Sequence, residues 1–155
     1  MRTFEDFTPG DIISLGEYQL TEAEMIAFAE RYDPQFFHTD PTAAADSPYG
    51  GIIGSGWHTA AIFQRMQCDS FMLDSSCVGS PGVDEVRWLK PVRAGDRLHG
   101  TNTVEAVKPS NSKPDRGVVF SHVEIFNQDN TLVMTLKTRV IYMKQAPHQD
   151  NRINH

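Results

Sequence analysis

The chain has 155 residues, 39% of them apolar, with 14 Lys and Arg against 20 Asp and Glu and a formal net charge of -6. That length suits a single domain with its own core. The acidic balance excludes a broad nucleic-acid face, which needs clustered Lys and Arg, but leaves room for local basic spots on a phosphorylated small molecule.

The opening MRTFEDFTPGD lacks the apolar core of a signal peptide, and no run approaches the ~20 apolar residues of a membrane span. A cytoplasmic protein without a membrane partner is therefore expected. Cys68 and Cys77 are too few for a disulfide framework and lack zinc-site spacing, so one buried thiol and one loop thiol are expected, and no metal.

Residues 1–16 read as a loop-rich lead-in, with Phe4 and Phe7 as apolar anchors before a Pro9-Gly10 turn. Thr21-Glu22-Ala23-Glu24 has the form of a capping box, in which Glu24 reaches back to the cap. Met25, Ile26, Phe28 and Ala29 follow at helical spacing, which predicts a helix to about Tyr32 that Pro34 ends. A short second helix is expected over 42–46. The glycine-punctuated run 49–56 leads into a third helix over 57–72, apolar around most of its circumference, with Arg65 and Asp69 spaced to pair. Such a helix should be buried.

Strands are predicted over 82–90, 97–107, 118–126 and 131–143, separated by a turn at 91–96, a polar loop at 108–117 and a hairpin turn at 128–130. The fold class is α+β: one domain over 1–144, an antiparallel sheet wrapped around a long buried helix, then a polar tail over 145–155. An uncovered sheet edge is a liability, so at least a homodimer is expected.

The stretch from Arg31 to Pro41 puts Asp33 and His38 five positions apart, on what reads as a Pro-constrained loop beside Phe36 and Phe37. A dry pocket there would raise the carboxylate pKa and lower that of the imidazole, bringing both toward neutrality where proton transfer is efficient. Spacing alone leaves alternatives open: Asp33 as a turn cap before Pro34, His38 as a satisfied core histidine. His58 reads as a helix-start residue with local hydrogen bonds, since no His, Cys or acid lies four positions away to make a zinc pair. Lys90, Arg93, Lys113 and Arg116 are candidate contacts for the phosphates of a small molecule.

Asp-x4-His-x-Asp-Pro over 33–41, then Gly-Gly-Ile-Ile-x-Ser-Gly-Trp-His over 50–58, resembles MaoC-like dehydratases and R-specific enoyl-CoA hydratases. The likeness extends to Phe-x-Pro-Gly-Asp over 7–11, to the run from Ser80 to Val92, and to Gly95-Asp96. The resemblance implies a hotdog fold and a hydratase or dehydratase acting on an acyl-CoA thioester, with no cofactor beyond the CoA of the substrate. It makes Asp33 and His38 the pair that activates a water for addition to a trans-2-enoyl thioester, and Gly56 the residue whose N–H meets the thioester oxygen. Ser55, Trp57 and Gln64 then line the substrate site. The chain departs from the best-known hydratases, which have His-Gly-Met at 55–57, a serine at Gln64 and an asparagine at Gln35. Two other readings are a hotdog thioesterase, which usually carries its acid on the long helix, and a non-catalytic acyl-CoA-binding protein. Asp69 is the one acid in the predicted helix core, and Arg65 is its ready partner.

Overall fold

Period-two alternation forms the sheet. In β4 (Arg116–Phe126) every second residue is buried, and β3 (Arg97–Pro109) and β5 (Leu132–Met143) alternate similarly over most of their length. With β1 (Ile12–Gln19) and β2 (Cys77–Trp88) they form one antiparallel sheet in the order β1-β3-β4-β5-β2. The structure is a computed structural model that describes residues 1–146; the expected tail from 147 onward lies outside the described residues.

The helices are α1 (Glu22–Tyr32), α2 (Phe36–Thr39), α3 (Pro41–Ala45) and α4 (Gly56–Ser70). Ile62, Phe63 and Met66 of α4 join Leu98, Val104, Val123 and Leu136 of the sheet in one core. Deep in it the Asn102 side-chain amide donates to Gln67 Oε1 at 2.8 Å, so helix and sheet also share a polar bond away from water. The α+β hotdog architecture is as expected.

Several details differ. β1 begins inside the expected lead-in and runs past it: its pairing with β3 shifts register between Ser14 and Glu17, and Gly16 sits there at φ +70°, which breaks the alternation that marks a strand. β2 begins five residues earlier than predicted. Pro81 lies within it, tolerated because β2 is an edge strand, and Gly79 and Gly82 take positive φ at its irregularities. Cys77 therefore opens a strand rather than a loop. Both cysteines are free and half-buried.

The fully buried helix is a correction. α4 buries one face, while Trp57, Ala61, Gln64, Arg65 and Asp69 are exposed. Trp57 and Ala61, apolar residues on the outer face, widen the apolar pattern beyond what packing requires. The capping box is also half-formed. Thr21 Oγ1 accepts from the Glu24 amide at 3.2 Å, but the Glu24 carboxylate turns away and accepts from the Tyr18 hydroxyl at 3.1 Å.

Gly100 faces the β3–β4 contact so closely that a Cβ would overlap the Glu124 carbonyl oxygen and come within 2.7 Å of Ile125 Cδ1. Overpacking of this kind costs about 1–3 kcal/mol. Gly100→Ala should lower stability by that amount in equilibrium urea unfolding, with little change in the slope of the transition.

Candidate active site

α1 cannot continue through Pro34, so the chain turns at Asp33, whose N–H caps the helix by donating to Ala29 O at 2.8 Å. One helical turn, α2, follows directly. His38 thus sits on a short helix and not on the expected loop. It is buried, and its Nδ1 lies 2.7 Å from the Ile53 carbonyl oxygen. A carbonyl only accepts, so Nδ1 carries the proton and Nε2 of the neutral ring presents a lone pair. That Nε2 is 3.4 Å from Asp33 Oδ2.

Asp33 is held from three sides. The Gln35 amide donates to Oδ1 at 2.8 Å, the hydroxyl of fully buried Ser55 donates to Oδ2 at 2.8 Å, and the His38 ring faces Oδ2. The Gln35 hydrogen bond, with Ser55 and His38 assisting, holds the Asp33 carboxyl below its ordinary value despite partial burial. This reverses the expectation that a dry pocket raises it: donors to the carboxylate outweigh desolvation.

Ser55 immediately precedes α4, and Gly56 is the first residue of the helix. N–H groups in a first turn have no acceptor within their own helix, and the helix dipole favours negative charge there. Asp33, His38, Gly56 and Trp57 line one cavity of about 400 Å³. The expected residues divide there. Lys90 lines the cavity, and Ser55 acts on Asp33 rather than on the space. Gln64 is elsewhere: its amide lies against the sulfur atoms of Cys68 and Met72, in a separate hollow of about 210 Å³ between α4 and the sheet. Arg93 is not part of the cavity lining; it stands beside Gly51. Lys113 lies in the β3–β4 connection, and Arg116 opens β4, where it pairs with Asp115.

His58 is buried and does not line the cavity; it stacks on Phe28 at 4.6 Å with Nε2 3.6 Å from Glu24 Oε1. Burial pushes its pKa down, opposed by Glu24. Its neighbours thus come from α1, not from the local chain. Among the described residues, no group of three or more His, Cys, Asp or Glu is placed to hold a metal, and no helix is long and apolar enough to cross a membrane.

Trp88 went unnoticed in the sequence. It ends β2, lines the same cavity, and its indole N–H donates to Gly56 O at 2.9 Å. Within its own segment it reads as one more apolar strand residue; nothing local says that its ring reaches a helix start 32 positions away.

Comparison with known proteins follows this geometry. Residues 8–124 match the family described as a MaoC like domain. The 3-hydroxyacyl-thioester dehydratase Z of Mycobacterium tuberculosis is 28% identical over 133 residues, covering 81% of this chain and 88% of the relative. The crystal structure of the MaoC-like dehydratase from Rhodospirillum rubrum superposes with a TM-score of 0.86 at 36% identity, covering 94% of this chain and 99% of that one. An (R)-hydratase from A. caviae involved in PHA biosynthesis, 23% identical, shares the fold with a TM-score of 0.69 over 90% of this chain and 98% of its own.

Removing either donor should release Asp33. Ser55→Ala and Gln35→Leu are each expected to move the Asp33 titration midpoint upward, toward the ordinary aspartate value near 3.9, in a carboxyl NMR titration. Because the folded pKa is depressed, the ionised carboxylate stabilises the wild-type fold above the unfolded pKa. That contribution is lost as pH falls through the folded value, and in both variants it should be smaller.

Proposed function

The chain belongs to the MaoC-like domain family, and on that footing we propose that it is a hydratase/dehydratase that interconverts a trans-2-enoyl-CoA and a 3-hydroxyacyl-CoA. The observation that carries this is the pair of acceptors 3.4 Å apart, Asp33 Oδ2 and His38 Nε2, opening on a cavity that also reaches the first residue of α4. Two lone pairs facing each other need protons between or above them, and one water supplies both.

In the hydration direction that water gives up a proton to the Asp33–His38 pair as its oxygen bonds to the β-carbon. The carbon–carbon π electrons move toward the carbonyl, leaving an enolate oxygen. The α-carbon then takes a proton back from the pair, so that H and OH are added in total and the site returns to its starting state. Dehydration is the reverse. No electron is transferred in either direction, so the scheme calls for no redox cofactor. The depressed Asp33 pKa keeps the carboxylate ionised, and the proton taken from water is shared by the coupled Asp33–His38 pair before it passes to the α-carbon.

The enolate oxygen needs a donor that is already aimed. The Gly56 N–H at the start of α4 fits that part, and one well-placed donor of this type lowers the barrier by ~3 kcal/mol. Lys90 at the cavity supports a phosphorylated substrate such as CoA. Asp69, the acid on α4, is ion-paired with Arg65 on the exposed side of the helix and does not line the cavity, which speaks against the thioesterase reading. We further propose a homodimer: β2 is an edge strand with exposed Val78, Val83 and Trp88, and a second copy is the simplest cover for it. Sedimentation should then give about twice the chain mass of 17.4 kDa.

Crotonyl-CoA tests the reaction directly. Enoyl-thioester absorbance should fall without release of free thiol; thiol release would make the protein a thioesterase, and no change would make it a binding protein. Asp33→Asn and His38→Ala should each reduce turnover by at least ~100-fold, the usual contribution of a positioned acid or base. Either variant retaining near wild-type rate removes that residue from the mechanism.

A further inference from the structure

Trp88 is fixed more firmly than a half-exposed surface tryptophan needs to be. Its backbone is held in register opposite Met134 of β5, and the next amide, Leu89, donates to Val133 O at 2.8 Å. Its indole N–H donates to Gly56 O at 2.9 Å, and the Trp57 ring packs edge-on against it at 5.1 Å and 77°. The ring also occupies the space of a missing side chain: a Cβ on Gly56 would come within 2.6 Å of Trp88 Cδ2 and 2.7 Å of Nε1. A swing to another rotamer would lose the hydrogen bond and the aromatic contact together.

A ring held this way is a wall of the cavity that also contains Asp33 and His38. At about 400 Å³ that cavity is at the small end of ligand pockets, which run from roughly 300 to 1,000 Å³. It has to hold a thioester, a water and whatever acyl group follows.

We propose that Trp88 is the residue that sets acyl size, restricting this site to short acyl groups. The proposal rests on the reading of the cavity as an enoyl-thioester site and adds to it a substrate class and the side chain responsible. Specificity here comes from exclusion: a longer chain meets an indole held by a hydrogen bond to Gly56 O and by the edge-on Trp57 ring. A mismatch of one methylene in an apolar pocket changes kcat/KM by roughly 10- to 200-fold.

The test compares crotonyl-CoA with trans-2-octenoyl-CoA on wild type, Trp88→Ala and Trp88→Phe. Wild type should prefer the crotonyl ester. Trp88→Ala should shift the kcat/KM ratio toward the octenoyl ester by at least ~10-fold, whereas Trp88→Phe, which keeps most of the ring but loses the N–H, should stay near the wild-type ratio. A ratio is independent of how much of a variant is folded. Wild type preferring the longer ester, an unchanged ratio in Trp88→Ala, or an equal shift in Trp88→Phe each overturns the wall while leaving the hydratase reading intact. If no enoyl ester is turned over, the hydratase reading falls, and calorimetric affinities for butyryl-CoA and octanoyl-CoA on the same variants still decide the wall by the same ratio. Absence of binding by both esters overturns both.

Discussion

The bond from Ser55 to Asp33 holds the site together. It joins the residue that ends α1 to the residue that precedes α4, 22 positions apart, through the carboxylate that faces His38. A second tie runs parallel to it, from the His38 ring to the Ile53 carbonyl, across 15 positions. The two connect the same pair of segments, so neither the acid nor the imidazole can move without pulling on the approach to α4. A short helical turn after a proline would be mobile by itself; tied twice to a core-packed helix, it holds two side chains at fixed separation. Preorganisation of this kind is what proton transfer at a positioned water requires.

The same ties set the electrostatics. Ser55 has no exposure to solvent, so its hydroxyl must find an acceptor, and the carboxylate is the one it uses. Gln35 provides the second donor from the exposed side. With donors on both oxygens, Asp33 stays ionised in a place where burial alone would favour the neutral acid. His38 receives the complementary treatment: a carbonyl on Nδ1 fixes which nitrogen carries the proton and turns the free lone pair toward Asp33. A carboxyl held acidic beside a ring of fixed tautomer makes a coupled pair, and the protons that pass through it belong to both groups together.

Much of this was legible in the sequence. The late strands announce themselves by alternation, and Pro34 marks the end of α1 because its ring forbids helical geometry at the preceding residue. The Asp33–His38 spacing is visible too, although spacing alone cannot separate a catalytic pair from a turn cap and a core histidine. What stayed hidden depends on contacts between distant segments. The strand β1 has its alternation broken by an irregular pairing at Gly16. The direction of the Asp33 pKa shift depends on Ser55, whose role as a donor appears only when α4 packs beside α1. The resemblance assigns Gln64 to the substrate site from its position along the helix, but its side chain points to the far hollow. Counting fixes a position along an axis, and the fold fixes the face.

Gly56 shows how one residue type can carry unequal reasons. A glycine before an apolar helix usually suggests a backbone that needs positive φ. Gly50, at φ +68°, is of that kind; Gly56 is not among the positive-φ residues and is helical. Its presence at this position therefore calls for a reason other than conformation. Trp88 is that reason on one side, because its ring lies where a Cβ would project. The carbonyl of the same residue takes the indole N–H, and its own N–H stands at the unpaired end of the helix. Three constraints therefore meet on a residue with no side chain. Neither Gly56 nor Trp88 can change alone: any side chain at 56 displaces the indole, and loss of the indole leaves the Gly56 carbonyl without its donor and the cavity without that wall.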